Sequence, residues 1–201
     1  MTPEAQKLKL AIANVKPRPD SKVAWLSAHR PSAAMCICLG AGPWKIGRRR
    51  TIQQLFLDTL GHEDLSDRRT ILRLINASPL EWQKIWFKKI HDWCIEEDVT
   101  FDWEFKGNRS NVPDYGLMAI HEIVGRSVHA APKVIGLFVR DYMFYPTFPA
   151  DRHVKAWLKE NNLPTKPHVI VELFKELRKN PSGYSRAIFD AKAENATFTV
   201  S

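Results

Sequence analysis

Two side chains in the second half of the chain are of types that covalent chemistry uses, and each falls at an expected helix start: Lys133 and Asp151. Pro132 suits the first turn of a helix, where its fixed φ helps and its missing N–H is not required, so Lys133 falls in a first helical turn. A free lysine has a pKa near ~10.4 and is protonated at neutral pH. At a helix N-terminus the dipole disfavours the ammonium, and partial burial pushes the same way. A lysine so placed can act as a neutral amine, attack an electrophilic carbon and form a Schiff base. Asp151 stands where an N-cap belongs, ahead of an amphipathic segment. A carboxylate there can orient the amine, shuttle its proton and stabilise positive charge developing beside it. Singly, each residue has an ordinary explanation. An aspartate before a helix is a cap, and a lysine in a first turn is a solvated side chain.

The elements that must position this pair lie in Val124 to Leu163. Local rules divide that stretch into helix, tight turn, helix, loop and helix, with Pro146 and Pro149 closing the loop. Helical periodicity runs along nearly all of the chain. Thr51 to Leu60 carries Ile52, Leu55 and Phe56 and ends at Gly61 as a C′ glycine. Ser66 to Asn76 has a serine cap, with Ile71, Leu74 and Ile75 on one side. Ser78 to about Glu96 opens with Pro79 at the first helical position and Glu81 completing a capping box. Its stripe is Trp82, Ile85, Trp86, Ile90, Trp93 and Cys94, which core packing explains better than a stacking platform.

Further helices are expected over Asp114 to Arg126, Pro132 to about Tyr142, Asp151 to Asn161, Pro167 to Lys179 and Ser182 to Glu194. Strand signals are poor, with partial alternation only at Val99 to Phe105 and Thr197 to Val200. The class is all-α, with roughly nine to eleven helices. A single domain is expected over residues 1–201: an N-terminal helix or tail over 1–20, a first helical lobe over about 21–112, a second over about 113–195 and a tail over 196–201. The loops Pro17 to Ser21, Gly40 to Arg50 and Lys106 to Pro113 mark the boundaries.

Composition sets the outer bounds. The 201 residues are 44% hydrophobic and 26% charged, which is globular and not disordered. No apolar run approaches the ~20 residues that span a membrane, and Met1 to Pro17 lacks the apolar block and cleavage site of a signal peptide. The net charge of +8 and a pI near 9.5 fit a polyanionic partner. Cys36, Cys38 and Cys94 are too few for a four-cysteine iron–sulfur cluster and have no C-x-x-C spacing, so they read as small buried residues with reduced thiols. That suits a cytoplasmic, nucleoid-associated setting. His62, His91, His121, His129 and His168 show no metal-ligand spacing, and neither a metal nor a cofactor is expected.

The segment Val124 to Leu163 resembles the helix-hairpin-helix DNA glycosylase superfamily, in which the endonuclease III-like and 8-oxoguanine glycosylases carry a catalytic lysine. In those members a hairpin ends in a lysine at a helix start. An apolar helix, a loop rich in Pro or Gly, and an aspartate opening a helix that reads Asp-x-His-Val then follow. Here the corresponding elements are Lys133, the apolar VIGLFVRDY, the loop MFYPTFPA and Asp151-Arg152-His153-Val154. Eighteen residues separate Lys133 from Asp151, as in the family. Arg186 to Asn195, reading RAIFDAKAEN, is similar to its closing helix. The likeness covers roughly Gly116 to Asn195. The family hairpin reads Gly-x-Gly-x-Lys, and His129 and Ala131 replace those glycines in this chain, which alters the backbone approach to a phosphate.

The resemblance implies two helical lobes flanking a cleft, a monomer, and duplex DNA with a modified base or abasic site as partner. Lys133 would be the nucleophile at C1′ of the sugar, and Asp151 the acid/base and charge stabiliser of an oxocarbenium-like transition state. The target base would leave the stack, because neither residue reaches C1′ inside an intact duplex. The hairpin positions His129 and Ala131, and the cations Arg126, Arg140, Arg152, His153, Arg48, Arg49 and Arg50, are candidates for the DNA backbone. Trp44, Phe144, Tyr145 and Phe148 are candidates to wedge or stack against an extruded base. The glycine-bearing run Gly40 to Arg50 does not match a P-loop. The alternative is a DNA-binding or base-modifying protein on the same scaffold that excises nothing. A third reading, an all-α protein with no nucleic-acid role, would leave the matched segment a coincidence.

Overall fold

A computed structural model of the chain describes residues 1–18, 26–42, 46–102, 133–143 and 146–197. Every regular element among them is helical: α1 (Pro3–Ala11), a 3-10 turn (Leu26–Ala28), α2 (Pro31–Gly40), α3 (Ile46–Leu60), α4 (Arg68–Ala77), α5 (Glu81–Glu96), α6 (Lys133–Asp141), α7 (Arg152–Glu160), α8 (Pro167–Glu176) and α9 (Pro181–Thr197). The expected all-α class is therefore observed. The segment expected as a helix over Asp114 to Arg126 lies outside the described residues. Val99 to Asp102 is irregular, and Thr197 ends a helix instead of opening an extended tail.

The chain divides into two compact units, Trp25–Phe138 and a second built from both chain ends, Met1–Ala24 with Val139–Ser201. The centre of the first is α2. Its sequence PSAAMCICLG is apolar all round, so it shows no helical period, and periodicity alone passes over it. Ala34, Met35, Cys36, Ile37, Cys38 and Leu39 are all buried. A buried helix end must satisfy its orphan carbonyls. Two glutamine amides do so: Gln53 Nε2 donates to Ile37 O and Gln83 Nε2 to Leu39 O, both at 2.9 Å. The three cysteines are free and buried, as expected. Burial, with Asp64 and Asp102 nearby, pushes the Cys94 thiol up to about 12, so it stays protonated.

Helix ends differ from expectation by a few residues, each for a local reason. The helix expected from Thr51 starts at Ile46, so part of the expected basic loop is helix. It ends at Gly61, whose φ of +58° fits the glycine expected there. Asp67, not Ser66, caps α4, its side chain accepting from Thr70 N–H at 2.7 Å. Ser78 closes α4, donating to Leu74 O at 2.7 Å, and α5 opens only at Glu81. The buried face of α5 is Gln83, Trp86, Phe87, Ile90, Trp93 and Cys94, whereas Ile85 is 46% exposed.

In the unit of both ends, α1 lays Ala5, Leu8 and Ile12 into a core shared with Phe148, Val154, Leu158, Ile170, Phe174 and Tyr184. Each large apolar side chain buried there stabilises the fold by about 1.5–3 kcal/mol. The rings of Phe148, Phe174 and Tyr184 stack in sequence, with centroids 5.6 Å and 5.2 Å apart. Thr2 Oγ1 donates to Glu176 Oε2 at 2.8 Å, tying the start of α1 to the end of α8.

Candidate functional site

The loop 146–150 presents Asp151, and α9 holds that loop from below. Ser182 Oγ donates to Thr147 O and accepts from Thr147 N–H, both at 3.3 Å. Ser185 Oγ donates to Pro149 O at 3.2 Å and accepts from Arg140 Nη1 at 3.3 Å. Arg140 grips Asp141 in a two-pronged pair, Nε to Oδ1 and Nη2 to Oδ2, each 2.6 Å. Arg186 adds a second guanidinium to the same carboxylate, with Nε 3.0 Å and Nη2 2.9 Å from Oδ1. Arg140, Asp141, Ser182, Ser185 and Arg186 are all buried. A buried charge is tolerated only when paired and hydrogen-bonded, and this network satisfies both conditions for one carboxylate between two guanidiniums. It fixes the end of α6, the loop and the start of α9 as one body.

Asp151 is the N-cap of α7, as its position ahead of the helix implies. Its Oδ1 accepts from the N–H groups of His153 and Val154, both at 2.9 Å. The two bonds satisfy two orphan donors of the helix and hold the carboxylate at its positive end. Lys133 is the first residue of α6, which places its backbone where the proline before it implied. Its side chain lies outside the described residues.

The other candidates divide by burial. Arg140 is turned inward: at 7% exposed it is committed to Asp141 and Ser185, where no phosphate reaches it. Phe148 is fully buried in the core against Phe174, so it fills space instead of wedging into a base stack. Arg152 is exposed and donates through Nε to His153 Nε2 at 3.2 Å. The His153 ring meets Phe189 edge-on, 6.1 Å between centroids. Arg48 and Arg50 are exposed on the first turns of α3. Between them Arg49 is half-buried, and its Nε is shielded without a hydrogen-bond partner. Arg126, His129, Ala131, Trp44, Phe144 and Tyr145 lie outside the described residues. Among the described residues, no three His, Cys, Asp or Glu side chains gather as metal ligands do, and no helix is long and apolar enough to cross a membrane.

Sequence reasoning missed the supporting residues Asp141, Ser182, Ser185 and Arg186. A signal was present, an Arg-Asp pair at the end of an apolar helix and a polar face on the closing one, but partners about 45 residues apart have no local signature. Comparison with known proteins finds no matching family model, no similar curated protein and no similar solved structure.

Proposed function

We propose that the chain is a DNA glycosylase of the helix-hairpin-helix type, with two helical lobes about a DNA cleft and an accompanying lyase activity. One observation carries the reading: a lysine opening α6 and an aspartate capping α7, eighteen residues on, with the residues just before that aspartate tied to α9 by Ser182 and Ser185. Lys133 Nζ, as the neutral amine, attacks C1′ of an extruded nucleotide. The bond from C1′ to the base nitrogen breaks, and the base leaves with the electron pair and gains a proton. The sugar ring opens to a Schiff base on Lys133, from which the strand is cleaved. Asp151 steadies the positive charge at C1′ and moves the amine proton. The buried network supplies the rigidity that catalytic positioning demands, since small misplacements are costly in rate. The basic charge of the chain supplies affinity for the phosphate backbone.

Borohydride trapping tests the proposal. Wild type, Lys133→Ala and Asp151→Asn are incubated with duplexes carrying single modified bases or an abasic site. A reduced covalent adduct is expected with wild type and none with Lys133→Ala, while both still bind duplex. Base release without an adduct would leave Asp151 central and Lys133 supporting. Binding without release or adduct on any duplex would defeat the proposal and favour a protein that grips DNA and excises nothing. The replacement of two hairpin glycines by His129 and Ala131 is the observation on that side.

A further inference from the structure

The unit formed by both chain ends contains an open cleft of about 470 Å³. Its floor is apolar. Val15, Ile188 and Trp157 line it, and Ala187 and Ala191, one turn apart on α9, keep it open where longer side chains would fill it. Its rim carries three cations, Lys16, Arg18 and Lys192, and one carboxylate, Asp190. Arg18 Nε meets Asp190 at 2.8 Å and Lys192 Nζ meets Glu160 at 2.5 Å, so two of the cations are already held in place. Lys16 is exposed.

One wall is the irregular chain after α1, and Gly183 exists to admit it. Arg18 N–H donates to Gly183 O at 3.0 Å, and a Cβ on Gly183 would stand 2.7 Å from Arg18 O. Glycine is a poor helix former, yet it occupies the first turn of α9. The wall, not the helix, requires it.

We infer that this cleft binds a nucleoside monophosphate, with the base on Trp157 and the phosphate at Lys16 and Arg18. The volume lies in the range of small-molecule sites, roughly 300–1,000 Å³. A half-buried indole beside small residues gives a flat platform on which any base can stack. A guanidinium already oriented by a carboxylate loses little freedom on gripping a phosphate. The same chemistry has two sources, a free nucleotide or the phosphorylated end of a strand. The inference stands apart from base excision, because neither Lys133 nor Asp151 lines the cleft.

Calorimetric titration of the full chain with deoxyadenosine monophosphate, deoxyadenosine and inorganic phosphate tests it. The monophosphate is expected to bind one to one, about tenfold more tightly than either part alone. Lys16→Glu and Ala191→Phe alter exposed positions, so both are expected to fold. Each weakens the monophosphate by about tenfold or more, the first through charge and the second by filling the floor. No one-to-one binding of the monophosphate, or binding unchanged in both variants, would overturn the inference. A duplex with a 5′-phosphorylated single-nucleotide overhang separates the sources. Binding tighter than the monophosphate, and lost in Ala191→Phe, assigns a strand end. No gain over the monophosphate assigns a free nucleotide. Borohydride trapping by Ala191→Phe at the wild-type level keeps the outcome separate from that of the excision proposal.

Discussion

Oδ1 of Asp151 accepts two backbone N–H groups, which is full employment as a helix cap. Capping and catalysis make different demands at this one residue, so they can be separated by substitution. Asparagine caps about as well as aspartate, whereas alanine costs about 1 kcal/mol. Asp151→Asn is therefore expected to melt near the wild-type temperature, and Asp151→Ala roughly 2–4 °C lower. Both are expected to lose base release. Turnover retained by Asp151→Asn in a single-turnover assay would leave Asp151 a cap and nothing more. The cap was readable in advance because its partners are two and three residues away. The fate of Arg140 was not. Its carboxylate partner Asp141 is the next residue, but nothing within a few residues marks Ser185, 45 positions on, as the group that holds it inside.

At the scale of elements, existence was more legible than phase or end. The length of α5 follows from its apolar spacing, but its rotation follows from Gln83, a polar residue drawn inside because a neighbouring helix end needs a donor. Several helix ends carry no glycine. Asp98, Asn162 and Arg178 take left-handed φ values of 52°, 53° and 54°, and the next residue bonds back to Cys94, Leu158 and Phe174. Such endings need no unusual sequence, so α8 stops at Glu176 where its apolar spacing runs on to Lys179. The joint between α6 and α9 depends most on one carboxylate. Asp141→Ala leaves two guanidiniums buried without their anion, and a loss of about 3–5 kcal/mol is expected in chemical denaturation. Base release should fall with it even where the protein remains folded, because the loop carrying Asp151 loses its support. Wild-type activity in folded Asp141→Ala would show that the network serves stability alone.

For the whole molecule, acid sensitivity has an identifiable source. Asp64 joins three parts of one unit, accepting from Phe101 N–H at 2.9 Å, Asp102 N–H at 2.6 Å, Ser66 N–H at 2.7 Å and Ser32 Oγ at 3.3 Å. Burial raises its pKa more than any single bond lowers it, but the bonds together bring it below the ordinary aspartate value. A depressed folded-state pKa contributes stability that is present above the unfolded pKa, about 3.9, and lost as pH falls through the folded one. Asp102 behaves oppositely. Burial leads in raising its pKa against the bonds from Ser32 and the pull of Arg30, so its share is largest below the unfolded pKa and fades as pH climbs through the folded one. Asp64→Asn is expected to cost about 2 kcal/mol at pH 7. The gap to wild type in urea midpoints should narrow as pH falls below about 4. A gap independent of pH would assign the loss to geometry and not to charge. None of this was legible in the sequence, where Asp64 and Asp102 are aspartates 38 positions apart with nothing local to join them.

A unit made from both chain ends has a consequence for the order of synthesis. The helix α1 leaves the ribosome well before the rest of its core, carrying Ala5, Leu8 and Ile12 toward buried partners that begin at Phe148. The intervening residues, Trp25–Phe138, belong to the other unit. At roughly 5–20 residues per second the apolar side of α1 waits on the order of ten seconds for its partners. During that time it is a short sticky peptide tethered to a growing chain, available to a chaperone or to a neighbouring nascent copy. A segment made before the inserted unit is protected only after it.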